Sequence, residues 1–389
     1  MYLNCHTYFS LRYGTFSEEA LIEMAKENGV SQLALTDINS TSACLNFIKL
    51  CQEENLHAVV GVDIRNGVDQ QFILIAKNND GFAEINNYVS KHLHSKTLFL
   101  NSAPKFENVY VIYPFEKAME LRNYNFEKNE YVGISIRDLN RLPFSPFAEM
   151  KDKLVILQTV TFRNQSDYNA HRLLRTIDLN TLLSKLPLTE QGNKQDVLIP
   201  PELLKIKYQS YPEILFNTDR LLNSCKVQFY FDDHRVNQNQ IIYDNDKDSD
   251  YKILEELCYS KIKERYANPS LEVYERVEKE LAAIKEMDFV SYFLINNDIL
   301  EYARSKDYPY IGRGSGANSV VAYIIGITNV DPIELDLYFE RFINVYRSSP
   351  PDFDIDFSWK DRDDVTSYIF KRFKYTALMG TYVTFQYRA

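Results

Sequence analysis

Three aspartates alternate with apolar residues in the run Pro351-Asp352-Phe353-Asp354-Ile355-Asp356-Phe357. Alternation is the period of an extended strand, so the three carboxylates share one face and Phe353, Ile355 and Phe357 share the other. Like charges about 7 Å apart repel one another unless a cation sits among them. Hard divalent ions, Mg²⁺ above all, take carboxylate oxygens. Two such ions roughly 3.5–4 Å apart form the usual clamp on in-line phosphoryl transfer. Aspartate is depleted in strands, so three in register weigh for a metal site and against a merely acidic solvent face.

Upstream stands Ile311-Gly312-Arg313-Gly314-Ser315-Gly316-Ala317-Asn318-Ser319, followed by the apolar stretch 320–327. A glycine-rich turn running into a helix leaves backbone N–H groups free for an anion. The Arg313 guanidinium and the Ser315 hydroxyl can add hydrogen bonds to phosphate oxygens. The turn is not a P-loop, because no Gly-Lys-Ser/Thr follows, and it is not GxGxxG, because its glycines fall at 312, 314 and 316. Taken alone, it reads equally well as a place where two backbones pack closely. A phosphate cradle followed by an acidic strand is more specific than either part.

The elements that must position these groups fall into two sets. Up to about residue 200, short apolar runs at 31–35, 57–64, 71–76, 108–113, 131–135 and 154–160 read as strands. Segments 17–28, 42–55 and 81–94 lie between the earlier runs, with apolar residues near a 3.6-residue period. Near-continuous apolar strands separated by helices predict an α/β fold, a parallel sheet or barrel covered by helices. Segment 186–248 is less regular, and the polar run 237–250 reads as a linker. A second unit starts near Asp250, with an amphipathic helix at 274–287 and another at 292–305.

Composition limits the classes. A chain of 389 residues holds two or three domains. With 45% hydrophobic and 25% charged residues it is neither disordered nor fibrous. The net charge of −10 gives no global attraction to nucleic acid, so any such partner needs a local site. No apolar run reaches the ~18 residues of a membrane span, and the N-terminus has no basic and apolar signal pattern. Five scattered cysteines without a CxxC pair read as reduced thiols or small buried hydrophobes. The expected location is cytoplasmic, with no membrane partner.

Tyr292-Phe293-Leu294-Ile295, Gly312-Arg313-Gly314-Ser315-Gly316, Val321-Ala322-Tyr323, Gly326-Ile327-Thr328, Asp331-Pro332, Phe339-Glu340-Arg341-Phe342-Ile343-Asn344, the acidic run and Arg362-Asp363 occur in this order. Together they resemble the palm of the bacterial DNA polymerase III alpha subunits, the C-family replicative polymerases. The resemblance implies a polymerase-beta-like nucleotidyltransferase palm of α+β type over 236–389. It gives the catalytic metals, two Mg²⁺ ions, to Asp354 and Asp356, and the incoming triphosphate to Arg313, Gly314 and Ser315. It implies primer–template DNA and deoxynucleotide triphosphates as substrates. A sliding clamp and other replisome subunits would bind through parts absent here.

Leu3-Asn4-Cys5-His6-Thr7-Tyr8-Phe9-Ser10, Ala34-Leu35-Thr36-Asp37-Ile38 and Val60-Gly61-Val62-Asp63 resemble the PHP domain of the same family, a distorted β/α barrel, over 1–235. A metal-binding PHP domain carries His-x-His, Asp-His and a Glu where this chain has Asn4-Cys5-His6, Asp37-Ile38 and Asp63. Its late Asp-x-His is here Thr159-Val160-Thr161. His6, Asp37 and Asp63 remain, a degenerate set expected to hold no stable metal cluster and to lack 3′–5′ exonuclease activity. The competing reading is a PHP-type metal-dependent phosphoesterase or 3′–5′ exonuclease. His57, His92, His94, His171 and His234 read as packing or surface residues. After Asp356 the acids Asp361, Asp363 and Asp364 open a helix rather than complete a metal site, and segment 380–389 reads as a truncated strand and turn. The expectation is a chain that does not polymerise DNA by itself.

Overall fold

The computed structural model describes residues 1–121, 125–231, 240–339, 351–373 and 376–378. His234, Glu340–Asn344 of the Phe339–Asn344 motif and the whole 380–389 segment lie outside the described residues. The chain divides into two compact units, Met1–Asp232 and Asp233–Ala389.

The first unit is built on one eight-stranded sheet. In chain order it runs β1 (Tyr2–Cys5), α1 (Glu18–Glu27), β2 (Gln32–Leu35), α2 (Cys44–Glu53), β3 (His57–Asn66), β4 (Asp69–Ala76), α3 (Asn79–Ser95), β5 (Val109–Pro114), α4 (Phe115–Glu120), β6 (Glu130–Ile134), β7 (Leu154–Ile156), β8 (Thr159–Val160), α5 (Gln165–Asp178), α6 (Pro201–Lys207) and α7 (Pro212–Ser224). The strand order is β7-β6-β5-β4-β3-β2-β1-β8. The apolar run 154–160 is therefore not one strand. It splits at Leu157-Gln158 into β7 and β8, which lie on opposite edges of the sheet. Ile156 and Thr159 are separated by at most about 11 Å of chain. The sheet must curl until its edges approach, which makes it the barrel-like α/β sheet the sequence predicts.

One strand departs from the expected parallel order. β4 runs antiparallel to both β3 and β5. The chain turns from β3 to β4 at Gly67, whose φ of 63° is left-handed, and so short a connection joins only antiparallel strands. Both faces of the sheet are covered. On β4, Phe72, Leu74 and Ala76 enter the larger core, while Ile73 and Ile75 enter a second core with Leu221 and Leu222 of α7. Two covered faces explain runs without polar alternation. Helices α6 and α7 fall in the segment expected to be irregular. Each begins at a proline, Pro201 and Pro212, which suits the first helical position because its N–H is unpaired there anyway.

The described second unit holds α8 (Lys247–Arg265), α9 (Leu271–Glu286), α10 (Val290–Ser305), β9 (Tyr310–Arg313), α11 (Val320–Ile324), β10 (Asp354–Phe357) and α12 (Arg362–Arg372). Helices α8 to α11 share one core, around Leu254, Val277, Leu281, Phe293, Leu300 and Val321. The polar run read as a linker ends in the start of α8, where Asp246 and Ser249 form a capping box. Strands β9 and β10 pair antiparallel, and Phe353, Ile355 and Phe357 pack against the helical core. Among the described residues no helix is long and apolar enough to cross a membrane, and all five cysteines are free and buried.

Candidate active site

Register assembles the site in the second unit. Arg313 pairs directly with Asp354, and Asp356 pairs with Ile311. Directly opposed residues of an antiparallel pair share a face, so Arg313, Asp354 and Asp356 stand together. The guanidinium forks across both acids: Nε donates to Asp356 Oδ2 at 2.7 Å and Nη1 to Asp354 Oδ2 at 3.0 Å. The hydrogen bond and charge of Arg313 hold the exposed Asp356 carboxyl below its ordinary range. The third acid takes a different part. Asp352 precedes the strand, and its carboxylate accepts the Ser315 hydroxyl. Its backbone N–H donates to Ser315 Oγ at 3.1 Å, and its carbonyl accepts the Gly316 N–H at 3.0 Å. Asp352 thus knits the turn to the strand.

The glycines of the turn make room. A Cβ on Gly312 would lie 1.8 Å from the Ile327 carbonyl oxygen, and one on Gly316 would lie 2.2 Å from the Phe353 ring. Gly314 has a left-handed φ of 97° and faces the Asp352 carbonyl. Phe353 in turn stacks on Tyr292 and meets Phe293 edge-on. The expected helix start differs from the sequence reading. A 3₁₀ turn, Ser315–Asn318, intervenes before the five-residue α11. The amino end of α11 is already occupied by Glu280 of α9. The Ser319 hydroxyl donates to Glu280 Oε2 at 2.7 Å and the Val321 N–H at 3.3 Å. Burial raises the Glu280 carboxyl, against the pull of Ser319 and Arg276. The amino end of α11 is therefore not free for an anion.

Downstream, Asp363 and Asp364 lie in the first turn of α12, and Asp361 caps it without a side-chain bond. Asp364 accepts from the hydroxyls of Tyr302 and Tyr308.

The first unit gathers its degenerate residues at the carboxyl ends of β1 and β2, within β3 and around β8. Asp63 Oδ2 accepts from His6 Nε2 at 2.9 Å, Arg65 Nε at 3.0 Å, Arg65 Nη2 at 2.7 Å and Gln70 Nε2 at 2.8 Å. Burial would raise the Asp63 carboxyl, but the Arg65 charge and the His6 bond leave it below its ordinary value. His6 Nδ1 meets the Thr161 hydroxyl at 2.9 Å, and Asn4 Nδ2 donates to Thr159 Oγ1 at 3.1 Å. Asp37 accepts from Thr7 N, Thr7 Oγ1 and Ser10 Oγ at 2.6–2.8 Å, while burial raises its carboxyl. Hydroxyls, an amide, a backbone N–H, the His6 ring and one guanidinium thus engage Asp37 and Asp63. Asp63 Oδ1 alone of these acceptors is buried without a hydrogen-bond partner.

The sequence reading missed Arg65 and Gln70, whose signal was position: Arg65 follows Asp63 by two residues on β3, and Gln70 pairs with Arg65 across the β3–β4 turn. It placed His171 among packing residues. His171 is fully buried, its Nε2 accepts the Gly192 N–H and its Nδ1 donates to the Tyr13 carbonyl. His57, His92 and His94 join no site: His57 bonds the Cys225 carbonyl, while His92 and His94 lie on α3.

Residues 3–128 match the PHP domain family, and residues 252–389 match the bacterial DNA polymerase III alpha NTPase domain family. The chain thus joins a PHP domain to the NTPase domain of bacterial DNA polymerase III alpha. It is 28% identical to the DNA polymerase III subunit alpha of Treponema pallidum, across 96% of this chain and 36% of that protein. The DNA polymerase III subunit alpha of Halalkalibacterium halodurans is 30% identical over the same shares. The error-prone DNA polymerase of Symbiobacterium thermophilum is 26% identical, across 100% of this chain and 40% of that protein. The chain thus spans between a third and a half of the length of these relatives.

Among the described residues no group of three or more His, Cys, Asp and Glu side chains is arranged to hold a metal ion. The pair Asp354 and Asp356 nonetheless suits a hard divalent ion. Both are carboxylates on one strand face, part-exposed, and a cationic group already stands between them. The Asp63 set does not suit a cluster, because Arg65 and Gln70 fill it with hydrogen-bond donors.

Proposed function

We propose that this chain carries the palm residues of a DNA-directed DNA polymerase, with a PHP domain that supports the protein without a metal cluster. The observation that carries the reading is the pair Asp354 and Asp356 on one face of β10, beside the Arg313-Gly314-Ser315 turn. Asp354 and Asp356 would hold two Mg²⁺ ions. Bound there, the ions supply charge neutralisation of the triphosphate and a lowered pKa for the primer 3′-hydroxyl. Arg313 would bind phosphate oxygens through its planar fork, with the Ser315 hydroxyl and the backbone at Gly314 beside it. So held, the triphosphate presents its α-phosphorus to the 3′-hydroxyl in line, and pyrophosphate departs as the new ester forms. The substrates are primer–template DNA and deoxynucleotide triphosphates, the further partners a sliding clamp and replisome subunits, and the compartment the cytoplasm. The acidic balance of the chain fits DNA contact made through a local, metal-bearing site.

The test is primer extension by the polymerase containing these residues. Asp354→Asn and Asp356→Asn are each expected to abolish incorporation while the fold stays intact by circular dichroism. Near-normal extension by either variant sinks the assignment.

A further inference from the structure

The acids Asp354 and Asp356 already have a cation, and it is part of the chain. Arg313 spans both, at 3.0 and 2.7 Å. Carboxylate oxygens engaged by a guanidinium fork are not free for a hard divalent ion, so the two occupants compete. Exposure decides whether the competition is real. In the first unit Arg65 and Asp63 are 7% and 0% exposed, and an ion pair out of water persists as long as the fold does. Arg313 is 61% exposed, with Asp354 at 46% and Asp356 at 57%. A pair in water is held weakly and exchanges.

Resting on the polymerase reading above, we propose that Arg313 is an exchangeable counter-ion. It neutralises Asp354 and Asp356 until divalent ions take the carboxylates, and its released guanidinium then receives the nucleotide's triphosphate. The same planar fork matches carboxylate and phosphate alike, and the exposed Arg313 side chain can change rotamer from one to the other. Because one side chain serves both sites, occupancy by metal raises affinity for triphosphate, and by linkage the reverse holds to the same degree. Arg313 is in this sense a positioning residue for the acids and a binding residue for the nucleotide, in alternation.

The experiment measures two affinities on the 389-residue chain. Mn²⁺ binding is read by electron paramagnetic resonance for the unaltered protein, Arg313→Gln and Asp354→Asn. Binding of a fluorescent deoxynucleotide triphosphate is read at saturating Mg²⁺ for the first two. Arg313→Gln is expected to bind the Asp354-dependent Mn²⁺ about two- to five-fold more tightly, the scale of a freed exposed pair, and the nucleotide about ten-fold more weakly. Opposite signs are the signature, since a merely structural role weakens both. An Asp354-dependent ion bound equally or more weakly by Arg313→Gln overturns the exchange and leaves the polymerase reading standing. No Asp354-dependent ion in either protein overturns the metal site itself, and the exchange with it.

Discussion

At the scale of single residues, two arginines divide the electrostatics of the chain. Arg65 is enclosed with Asp63, so its removal leaves a buried carboxylate without its counter-charge. Arg65→Ala is expected to destabilise the first unit by about 3–5 kcal/mol, as for other broken buried pairs, read by urea denaturation. A loss under about 1 kcal/mol places Arg65 outside the set of groups that hold the fold. Arg313 lies in water and its loss is a matter of binding. Arg313→Ala should raise the apparent KM for nucleotide about ten-fold, and an unchanged KM and kcat would assign it to packing. Asp352→Asn should be milder than the change at Asp354 or Asp356. An amide keeps an acceptor oxygen for the Ser315 hydroxyl, and the backbone bonds of Asp352 remain. Incorporation lost as fully as in Asp354→Asn would make Asp352 a metal ligand.

At the scale of elements, the turn between β9 and α11 is fixed by contacts without room to spare. Gly316→Ala drives a methyl into the Phe353 ring, which is held by Tyr292 and Phe293. The expected cost is about 1–3 kcal/mol, the usual range for overpacking. The damage should reach the site, because Phe353 immediately precedes Asp354, the first residue of β10. Melting of Gly316→Ala with an unshifted Tm would show that the ring moves freely. Here the spacing of glycines was legible, but their partners were not. Ile327, Asp352 and Phe353 meet the turn only after folding. The alternation in 351–357 likewise announced a strand with an acidic face. It did not announce that Asp352 would fall outside β10, a choice made by its bonds to Ser315 and Gly316.

At the scale of each unit as a whole, burial sets the response to pH. Desolvation lowers His171 from 6.5 to about 4. The unfolded chain therefore takes up a proton near pH 6.5 that the folded unit refuses until about pH 4. Stability from His171 is full above pH 6.5 and is lost as the pH falls toward 4, by up to about 3 kcal/mol. Asp196 acts in the opposite sense, because burial raises it from 3.8 to about 6. Its contribution is present below pH 4 and is lost as the pH rises through 6. Denaturation of His171→Gln across pH 4–7 should show the histidine's loss at low pH removed and the Asp196 slope remaining. A profile identical to the unaltered chain would refute the assignment. We further expect the first unit to carry no stoichiometric zinc or manganese and no metal-dependent nuclease activity. Elemental analysis and a 3′–5′ exonuclease assay check this. Trace metal at Asp63 Oδ1 would not count against it, whereas a tightly bound cluster would.

What the sequence determined was periodic or local. Strand and helix segments of the first unit, the helices read at 274–287 and 292–305 and formed at 271–286 and 290–305, and the face shared by Asp354 and Asp356 follow from side-chain spacing, which repeats within a few residues. The absent histidines of the PHP motifs were legible through the resemblance, because each motif is a few adjacent residues. Tertiary structure decided what depends on distant partners. It split 154–160 between two edges of a curled sheet, reversed β4, seated Glu280 on the amino end of α11 and placed Arg65 against Asp63. It also set Arg313 opposite Asp354, a register that one residue of slip would destroy by sending the side chain to the other face. Hydrogen bonds and ion pairs of this kind join residues far apart in the chain, and only packing brings their charges close enough to choose one another.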